Sequence, residues 1–284
     1  MSTVRIYEVG PRDGLQNETR FVPTADKITL IDQLSSIGFT HIETTSFVSP
    51  KWVPQMADAG DVLSGITRQE DLTYAALTPN IKGFDRAREA KVNEVAIFAA
   101  ASEGFSQKNT NCSIEQGLER FAPVASKALE YGMTVRGYIS CVTDCPYDGK
   151  VAPESVAYLV EKLLKLGCYE ISLGDTTGAA TPESTDSLLK ACSSVAPSDK
   201  LAGHFHDTFG HALDNIDVCL EHKLRTFDAS VAGLGGCPYS PGAKGNVATE
   251  RVVQHVEAKG HTTGLDKTKL QIAADFAKTL VSSA

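Results

Sequence analysis

Short apolar runs alternate with longer amphipathic segments along most of the chain. The short runs have the length and composition of buried strands, and they lie at about 4–10, 41–47, 71–78, 94–100, 134–142, 170–174, 201–206 and 227–232. Between them, apolar residues recur three and four positions apart, which is typical of helices that bury one face. The pattern therefore predicts eight strands, each followed by a helix.

Residues with special backbone preferences mark the ends of these helices. Thr24 precedes the apolar positions of the first helix, and Pro153 begins a later one. Glycine follows the last periodic position of four segments, at Gly38, Gly132, Gly167 and Gly260. Because glycine adopts the left-handed conformation that commonly closes a helix, we expect a helix to end at each of these positions.

Eight strand-helix units in 284 residues match a (β/α)8 TIM barrel, in which the carboxyl ends of all strands face one common site. A doubly wound open sheet is the alternative. The barrel is favoured because polar residues recur at six strand ends, and only a closed sheet brings six ends around one ligand. A last amphipathic segment, at about 265–281, predicts an additional C-terminal helix that packs on the barrel or on a partner. We expect residues 1–284 to form a single catalytic domain.

The amino-acid composition argues against binding to nucleic acids or to anionic membranes. The chain is 42% hydrophobic and 22% charged with a net charge of −8, so it lacks the clustered basic residues that nucleic acids or anionic membranes require. No segment approaches the roughly 20 apolar residues of a bilayer span, and we expect a cytoplasmic protein. The seven cysteines lack the paired spacing of a structural zinc site, and we interpret them as reduced thiols, six of them structural.

Two histidines at the end of the seventh strand carry the strongest chemical signal. His204 and His206 stand two positions apart, so on a strand both rings point to the same face and reach one metal ion. Histidines buried in a core and satisfied by hydrogen bonds are the alternative. The first strand leads into a further charged pair, Arg12 and Asp13, although such a pair is often only a surface ion pair.

A glycine-rich stretch follows the eighth strand. Residues 231–246 read Val-Ala-Gly-Leu-Gly-Gly-Cys-Pro-Tyr-Ser-Pro-Gly-Ala-Lys-Gly-Asn, with Cys237 near the middle. Glycine-rich loops of this kind also bind phosphates, but a cysteine would serve no phosphate. The stretch is therefore interpreted as a loop that brings a thiol to the active site.

Three segments resemble the 3-hydroxy-3-methylglutaryl-CoA lyase family of the DRE-TIM metallolyases. They are Val9-Gly-Pro-Arg-Asp-Gly-Leu-Gln-Asn-Glu18, the stretch 42–56, and Val231-Ala-Gly-Leu-Gly-Gly-Cys-Pro-Tyr239 with Gly245-Asn-Val-Ala-Thr-Glu250. The resemblance implies a (β/α)8 barrel that uses Mg²⁺ or Mn²⁺ to cleave 3-hydroxy-3-methylglutaryl-CoA into acetyl-CoA and acetoacetate. It also implies an acyl-CoA partner and a setting in leucine degradation and ketone-body formation.

The same resemblance implies roles for individual residues. It implies metal ligands at Asp13, His204, His206 and Asn246. It implies catalytic or supporting roles for Arg12, Cys237, Glu43 and Asp175. Contacts to substrate or coenzyme A are implied for Gln16, Thr176, Asn109, Ser113, Arg136 and Tyr138.

These residue types suit the chemistry that the resemblance implies. A carboxylate, two imidazoles and an amide oxygen favour a divalent ion with open positions over a closed zinc site. Such an ion would acidify the tertiary hydroxyl of the substrate. Arg12 would stabilise the enolate, and Cys237 would move protons.

Departures from the family pattern leave alternatives open. Residues 240–245 carry Pro241 and Lys244 where small residues are usual, and Thr19-Arg20 replaces a position that is often lysine. A lyase for a longer 3-hydroxy-3-substituted glutaryl-CoA would keep the same catalytic residues. A Claisen-type synthase of the same superfamily and a non-catalytic metal- or CoA-binding barrel are the other hypotheses. A homodimer or higher homo-oligomer is expected, with the final helix as one candidate interface.

Overall fold

The computed structural model describes residues 2–236 and 245–281. Its eight barrel strands are β1 (Arg5–Glu8), β2 (His41–Ser46), β3 (Thr73–Leu77), β4 (Glu94–Ala100), β5 (Thr134–Ser140), β6 (Glu170–Asp175), β7 (Leu201–Phe205) and β8 (Thr226–Ala229). All neighbouring pairs are parallel, and β8 pairs with β1 to close the sheet. The predicted (β/α)8 barrel is therefore confirmed, and the open sheet is excluded.

Ten α-helices surround the barrel in the described part of the chain. They are α1 (Thr24–Ser35), α2 (Ala59–Gly65), α3 (Ile81–Glu89), α4 (Glu103–Thr110), α5 (Ile114–Glu130), α6 (Pro153–Lys165), α7 (Pro182–Ser193), α8 (Ala212–Glu221), α9 (Thr249–Ala258) and α10 (Lys267–Val281). Eight of them follow the eight strands as predicted. The short α4 after β4 is additional, and a hairpin of two-residue strands, Asp144–Cys145 and Gly149–Lys150, follows β5.

The glycine signals at helix ends are confirmed by the backbone. Gly38, Gly132, Gly167 and Gly260 have φ values of +110°, +72°, +97° and +86°. The strand prediction for 227–232 was too long, because β8 ends at Ala229 and a short turn follows at Val231–Gly233. Ala232 and Gly233 both have positive φ in that turn, which an extended strand cannot accommodate.

The C-terminal helix α10 packs on the barrel rather than standing free. Its buried side chains, Leu270, Ala273, Ala274, Ala277 and Leu280, belong to the main hydrophobic core. The helix contacts α1 and α9, the helices on either side of the β1–β8 closure. No helix within residues 2–236 and 245–281 is long and apolar enough to cross a bilayer.

The inside of the barrel is polar at the level of the middle strand residues. Five side chains with almost no solvent exposure fill it: Tyr7, Glu94, Arg136, Glu170 and Asp228. The apolar core lies instead between the strands and the surrounding helices. This arrangement leaves the carboxyl ends of the strands to hold the candidate site.

Candidate active site

One wide helical turn after β1 aims the charged pair at the barrel axis. The amide groups of Arg12, Asp13 and Gly14 all donate hydrogen bonds to the carbonyl oxygen of Val9. The turn fits closely against neighbouring segments, since a Cβ on Gly14 would approach Leu234 to 2.7 Å. The Pro-Arg-Asp-Gly sequence thus fixes two adjacent charged side chains at the mouth of the barrel.

Arg12 is buried between two carboxylates. Its Nε donates to Glu43 Oε2 on β2 at 2.6 Å, and its Nη1 donates to Asp13 Oδ1 at 2.7 Å. Burial lowers the pKa of this guanidinium, but the charges of Glu43 and Asp13 outweigh burial and raise it above its usual value. Arg12 is therefore a fixed cation, held in place by Glu43 on one side.

Asp13, His204 and His206 form a cluster that can hold a metal ion. One ligand atom from each of the three lies within 4.8 Å of the other two. His204 Nε2 faces Asp13 Oδ2 at 3.9 Å, and the rings of His204 and His206 have their centroids 5.6 Å apart. The predicted strand spacing thus brings both imidazoles to the same carboxylate.

Asn246 joins this cluster through backbone pairing. After residue 245 the chain runs antiparallel to the end of β7, with a bridge between His206 and Asn246. Asp207 N donates to Gly245 O, and Val247 N donates to Phe205 O. The side-chain nitrogen of Asn246, Nδ2, donates a hydrogen bond to Asp13 Oδ2 at 2.8 Å. The structure therefore brings the four residues predicted as metal ligands to one place.

Electrostatics within the cluster favour a cation. Burial raises the pKa of Asp13, but Arg12 and the two histidines lower it to about 2. Burial and the neighbouring His204 lower the pKa of His206 to about 4, so its ring is neutral near pH 7. The pKa of His204 is lowered by burial but raised on balance by Asp228 and Asp13.

A set of buried polar atoms around this cluster has no hydrogen-bond partner in the described part of the chain. They are Glu43 Oε1, Tyr138 Oη, Asp175 Oδ1 and His206 Nδ1. Burying a polar atom without a partner costs about 1–3 kcal/mol. Because the four residues lie on or directly after β2, β5, β6 and β7, a ligand at the mouth would satisfy several of them together.

Asp175 and Thr176 end β6 and contact neighbouring segments. Asp175 Oδ2 accepts a hydrogen bond from Ala180 N, and burial raises the pKa of this carboxyl to about 7. Thr176 Oγ1 accepts a hydrogen bond from Cys141 N. Asp175 therefore has a pKa that suits proton exchange near neutrality.

Two other predicted contact residues also lie at the mouth. Gln16 Nε2 lies 3.4 Å from Asp13 Oδ1. The centre of the Tyr138 ring lies 5.5 Å from the central carbon of the Arg12 guanidinium. The Tyr138 and His204 rings are nearly perpendicular, with their centroids 6.5 Å apart. Both positions are compatible with contacts to a substrate bound beside Asp13.

The predicted coenzyme A residues are not together. Asn109 is exposed on α4, and Ser113 caps the start of α5, where its side chain accepts from Gln116 N. Arg136 is fully buried inside the barrel, where its guanidinium is bound by Glu170 and Asp228. The expectation that Arg136 contacts coenzyme A does not fit this placement, because the side chain has no exposed surface to offer a ligand.

Cys237 lies outside the described residues. The two segments that flank it are held against each other, since Asn246 N donates to Gly235 O at 3.2 Å. A Cβ on Gly245 would collide with that same carbonyl oxygen, which explains why glycine is required there. The six described cysteines are buried free thiols, in agreement with their predicted structural role.

Two carboxylates beside the site were missed from the sequence. Asp228 on β8 contacts His204 Nδ1 at 3.1 Å, and Arg136 holds the pKa of this buried carboxyl well below its usual range. Glu8 at the end of β1 accepts hydrogen bonds from Gly10 N, Val231 N and the Thr249 hydroxyl. Each of these two carboxylates interrupts a short apolar strand, and this feature of the sequence could have revealed them.

The donor set fits a divalent metal ion. It combines one carboxylate and two imidazoles with an amide alongside, and no described thiol lies in the cluster. The unpartnered Nδ1 of buried His206 is the atom that a bound cation would satisfy. Such a mixed nitrogen and oxygen set leaves room for substrate oxygens on the same ion.

Comparisons with known proteins agree with this site. The sequence model of the HMGL-like family matches residues 3–277. A 3-hydroxy-3-isohexenylglutaryl-CoA/hydroxy-methylglutaryl-CoA lyase of Pseudomonas aeruginosa is 56% identical over 93% of this chain and 88% of its own length. The crystal structure of the HMG-CoA lyase of Brucella melitensis superposes with a TM-score of 0.99 at 53% identity, covering 100% of both chains.

A further solved structure carries ligands. The HMG-CoA lyase of Acinetobacter baumannii, in complex with coenzyme A and 3-methylmalate, has a TM-score of 0.93 and 39% identity, covering 98% of this chain and 91% of its own. The family match extends over almost the whole barrel, including the turn with Arg12 and Asp13 and the histidine pair. With its closed barrel and its cluster of one carboxylate and two imidazoles, the chain belongs to the HMGL-like family.

Proposed function

We propose that the chain is a divalent-metal-dependent carbon–carbon lyase that cleaves 3-hydroxy-3-methylglutaryl-CoA to acetyl-CoA and acetoacetate. The observation that carries this proposal is the contact between Arg12 and Asp13, which sets a fixed cation beside a donor set for a metal. Relatives at 53–56% identity are named as lyases of this substrate. The predicted family and activity agree with both.

The site residues divide the work of the cleavage. A divalent ion held by Asp13, His204, His206 and Asn246 would polarise the substrate oxygens and acidify the tertiary hydroxyl. Arg12 donates to the oxygen on which negative charge develops as the acetyl-CoA enolate departs, a contribution typically worth about 3 kcal/mol. Glu43 keeps the guanidinium aimed, since its carboxylate binds the Arg12 Nε from the opposite side.

Two further groups are proposed to transfer protons. Cys237 is proposed as the thiol that moves the proton to or from the substrate, by its position in the loop after β8. Asp175, whose pKa burial raises to about 7, is a second group able to exchange a proton near neutrality. For Cys237→Ser we expect loss of most kcat with unchanged metal affinity, and undiminished turnover would remove the thiol from the chemistry.

Coenzyme A binding is proposed for the surface beyond β4. Asn109 and Ser113 lie at the end of α4 and the start of α5, the two helices that follow β4. For Asn109→Ala we expect a higher KM for the acyl-CoA with little change in kcat, because the residue is remote from the reacting carbons. A change confined to kcat would argue against this placement.

Mg²⁺ or Mn²⁺ is proposed as the metal. Titration of Mn²⁺ into the purified protein tests the ligand set directly, without reference to activity. His206→Ala should weaken binding markedly, whereas His255→Ala removes a surface histidine paired with Asp217 and should leave the titration unchanged. Equal curves for the two variants would refute the assignment of His206 as a ligand.

The reaction itself is tested with a panel of thioesters. Purified protein with Mg²⁺ should release acetyl-CoA and acetoacetate from 3-hydroxy-3-methylglutaryl-CoA, and EDTA should stop the release. Free coenzyme A formed from acetyl-CoA and a 2-oxo acid would favour the Claisen-type synthase instead. No turnover of any thioester, with intact metal binding, would favour a binding role.

A second candidate is a lyase for a longer 3-substituent. The Pseudomonas aeruginosa relative is named for both a 3-isohexenyl and a 3-methyl substrate. Comparing kcat/KM for the two thioesters separates the candidates. A preference for the longer substrate would favour this second candidate.

Other predictions from the sequence remain proposals. We propose a single catalytic domain over residues 1–284, a homodimer or higher homo-oligomer, a cytoplasmic location and a role in leucine degradation and ketone-body formation. Limited proteolysis tests the single domain, light scattering tests the oligomeric state, and cell fractionation tests the location. Growth on leucine of a strain that lacks the protein tests the last.

A further inference from the structure

A chain of buried charges runs through the inside of the barrel. Arg136 on β5 donates from Nε to Glu170 Oε1 at 3.0 Å, and from Nη1 and Nη2 to the two oxygens of Asp228 at 3.1 and 2.7 Å. Its guanidinium lies 3.9 Å from the centre of the Tyr7 ring. All three guanidinium nitrogens are therefore engaged, and the side chain is fixed on every side.

Asp228 connects this chain to the candidate metal site. Its Oδ2 accepts hydrogen bonds from Arg136 Nη1 and from Ser172 Oγ at 2.7 Å, and the same oxygen lies 3.1 Å from His204 Nδ1. Because Oδ1 is also bound by Arg136, the carboxylate cannot rotate. It therefore presents one acceptor to His204 in one fixed direction.

The contact decides which imidazole nitrogen faces the metal. A proton on His204 Nδ1 donated to Asp228 leaves Nε2 with its lone pair directed at Asp13, 3.9 Å away. Metal-binding histidines commonly use their second nitrogen in this way, which fixes the ring and its tautomer. His206 differs, because its Nδ1 has no hydrogen-bond partner within the described residues.

We propose that Asp228, locked by Arg136 and Ser172, is a positioning residue that holds His204 as the Nδ1–H tautomer with Nε2 directed at the metal. The inference rests on the proposed role of His204 as a ligand. It also assigns Arg136 a task inside the barrel: the guanidinium acts on the site through Asp228 and contacts no substrate.

The test is Mn²⁺ affinity, measured by calorimetry without substrate. Loss of such a second partner typically weakens metal binding by about 10- to 100-fold, and we expect that range for Asp228→Asn. Glu170→Gln is the matched control, because it also removes a buried carboxylate from Arg136 but leaves Asp228 and His204 in contact. We expect that control to bind Mn²⁺ within about twofold of the wild type, whatever its melting temperature.

A second measurement needs no variant. In ¹⁵N-histidine-labelled wild-type protein saturated with diamagnetic Mg²⁺, long-range ¹H–¹⁵N spectra report which nitrogen of each ring carries the proton. His204 should carry it on Nδ1. A proton on Nε2 would overturn the inference even if Asp228→Asn fails to fold.

The outcomes separate this inference from the proposed function. If the wild type binds Mn²⁺ and His206→Ala weakens binding, the metal site stands. Unchanged affinity in Asp228→Asn, or an equal loss in Glu170→Gln, would then overturn the positioning role alone. A wild type that binds neither Mn²⁺ nor Mg²⁺ would overturn both.

Discussion

Arg136 and Arg12 are both buried arginines held by two carboxylates, yet one lies inside the barrel and the other at its mouth. Around Arg136, every guanidinium nitrogen has an acceptor, and Tyr7 stacks on the plane. Within the described residues, Glu43 beside Arg12 keeps one buried oxygen without a hydrogen-bond partner. The guanidinium of Arg136 is fully paired without a ligand, whereas polar atoms at the mouth are left for a ligand to contact.

This difference separates residues that stabilise the fold from residues that act on a substrate. Unpartnered buried polar atoms are costly, so several at one place point to a bound ligand or water there. The same rule gives opposite expectations for substitutions at the two arginines. Interior changes should reduce stability, and mouth changes should reduce turnover.

The largest effect is expected from Arg136→Gln. Removing the cation leaves Glu170 and Asp228 buried without their shared partner, and breaking a buried pair typically costs about 3–5 kcal/mol. Urea unfolding of the metal-free protein measures this loss. A free energy of unfolding within 1 kcal/mol of the wild type, by that scale, would show that the interior network is not a stabilising element.

Arg12→Gln should reduce turnover rather than stability, the opposite of what is expected for Arg136→Gln. We expect a fall in kcat of about 10²–10³-fold with a smaller change in KM, because the lost donor acts on charge that develops during cleavage. The free energy of unfolding should change little, since Glu43 can take up a proton once Arg12 is absent: burial already raises the pKa of that carboxyl. Arg12→Lys, which keeps the charge but loses the paired geometry, is the matched comparison. An effect on KM alone would make Arg12 a binding residue only.

The pH dependence of stability at Glu8 is a further test of what buried charges contribute to the fold. Burial raises the pKa of this carboxyl from 4.5 to about 7, although its three hydrogen-bond donors oppose the shift. The folded state therefore binds the proton more tightly than the unfolded chain, and this contribution to stability is full below about pH 4.5 and is lost as the pH rises through 7.

Glu8→Gln removes the titrating group and keeps its shape. The amide oxygen still accepts from Gly10 and Val231, while the Thr249 hydroxyl turns to accept from the amide nitrogen. Between pH 4.5 and 8, the free energy of unfolding of the variant relative to wild type should rise by roughly 2–3 kcal/mol. Parallel unfolding curves across this range would mean that Glu8 does not titrate there.

The smallest change in the free energy of unfolding is expected for an ion pair on the outer surface. Lys190 pairs with Asp186 one turn earlier on α7, with 69% of its side chain exposed. Such exposed pairs contribute little, and Lys190→Ala should change the free energy of unfolding by less than about 0.5 kcal/mol. This variant sets the baseline against which the buried charges are compared, and a loss above 1 kcal/mol would invalidate it as a control.

The fold was predictable because its signals are local. Helix ends at Gly38, Gly132, Gly167 and Gly260 depend on the backbone freedom of single residues, and the strand runs depend on composition. The histidine pair was also predictable, since residues two apart on a strand share a face whatever the rest of the chain does. The ligand roles of these residues remain predictions.

The height of a side chain inside the barrel was not predictable. Arg136 and Tyr138 are two apart on β5 and share the inner face, yet Tyr138 meets Arg12 at the mouth and Arg136 meets Asp228 below it. Strand periodicity gives the face but not the depth, so the full burial of Arg136 could not be predicted from the sequence. Asn246 reaches His206 by pairing across 40 residues of sequence, which no local pattern encodes.

Because Gly235 and Asn246 contact each other, the stretch between them should be replaceable without moving its two ends. Both ends are anchored at one point by the bond from Asn246 N to Gly235 O. Because the entropy of closing a loop grows only slowly with its length, inserted or deleted residues there should cost little in folding. Grafting the corresponding stretch of another lyase between these anchors is thus a direct route to new substrate preferences on an unchanged scaffold.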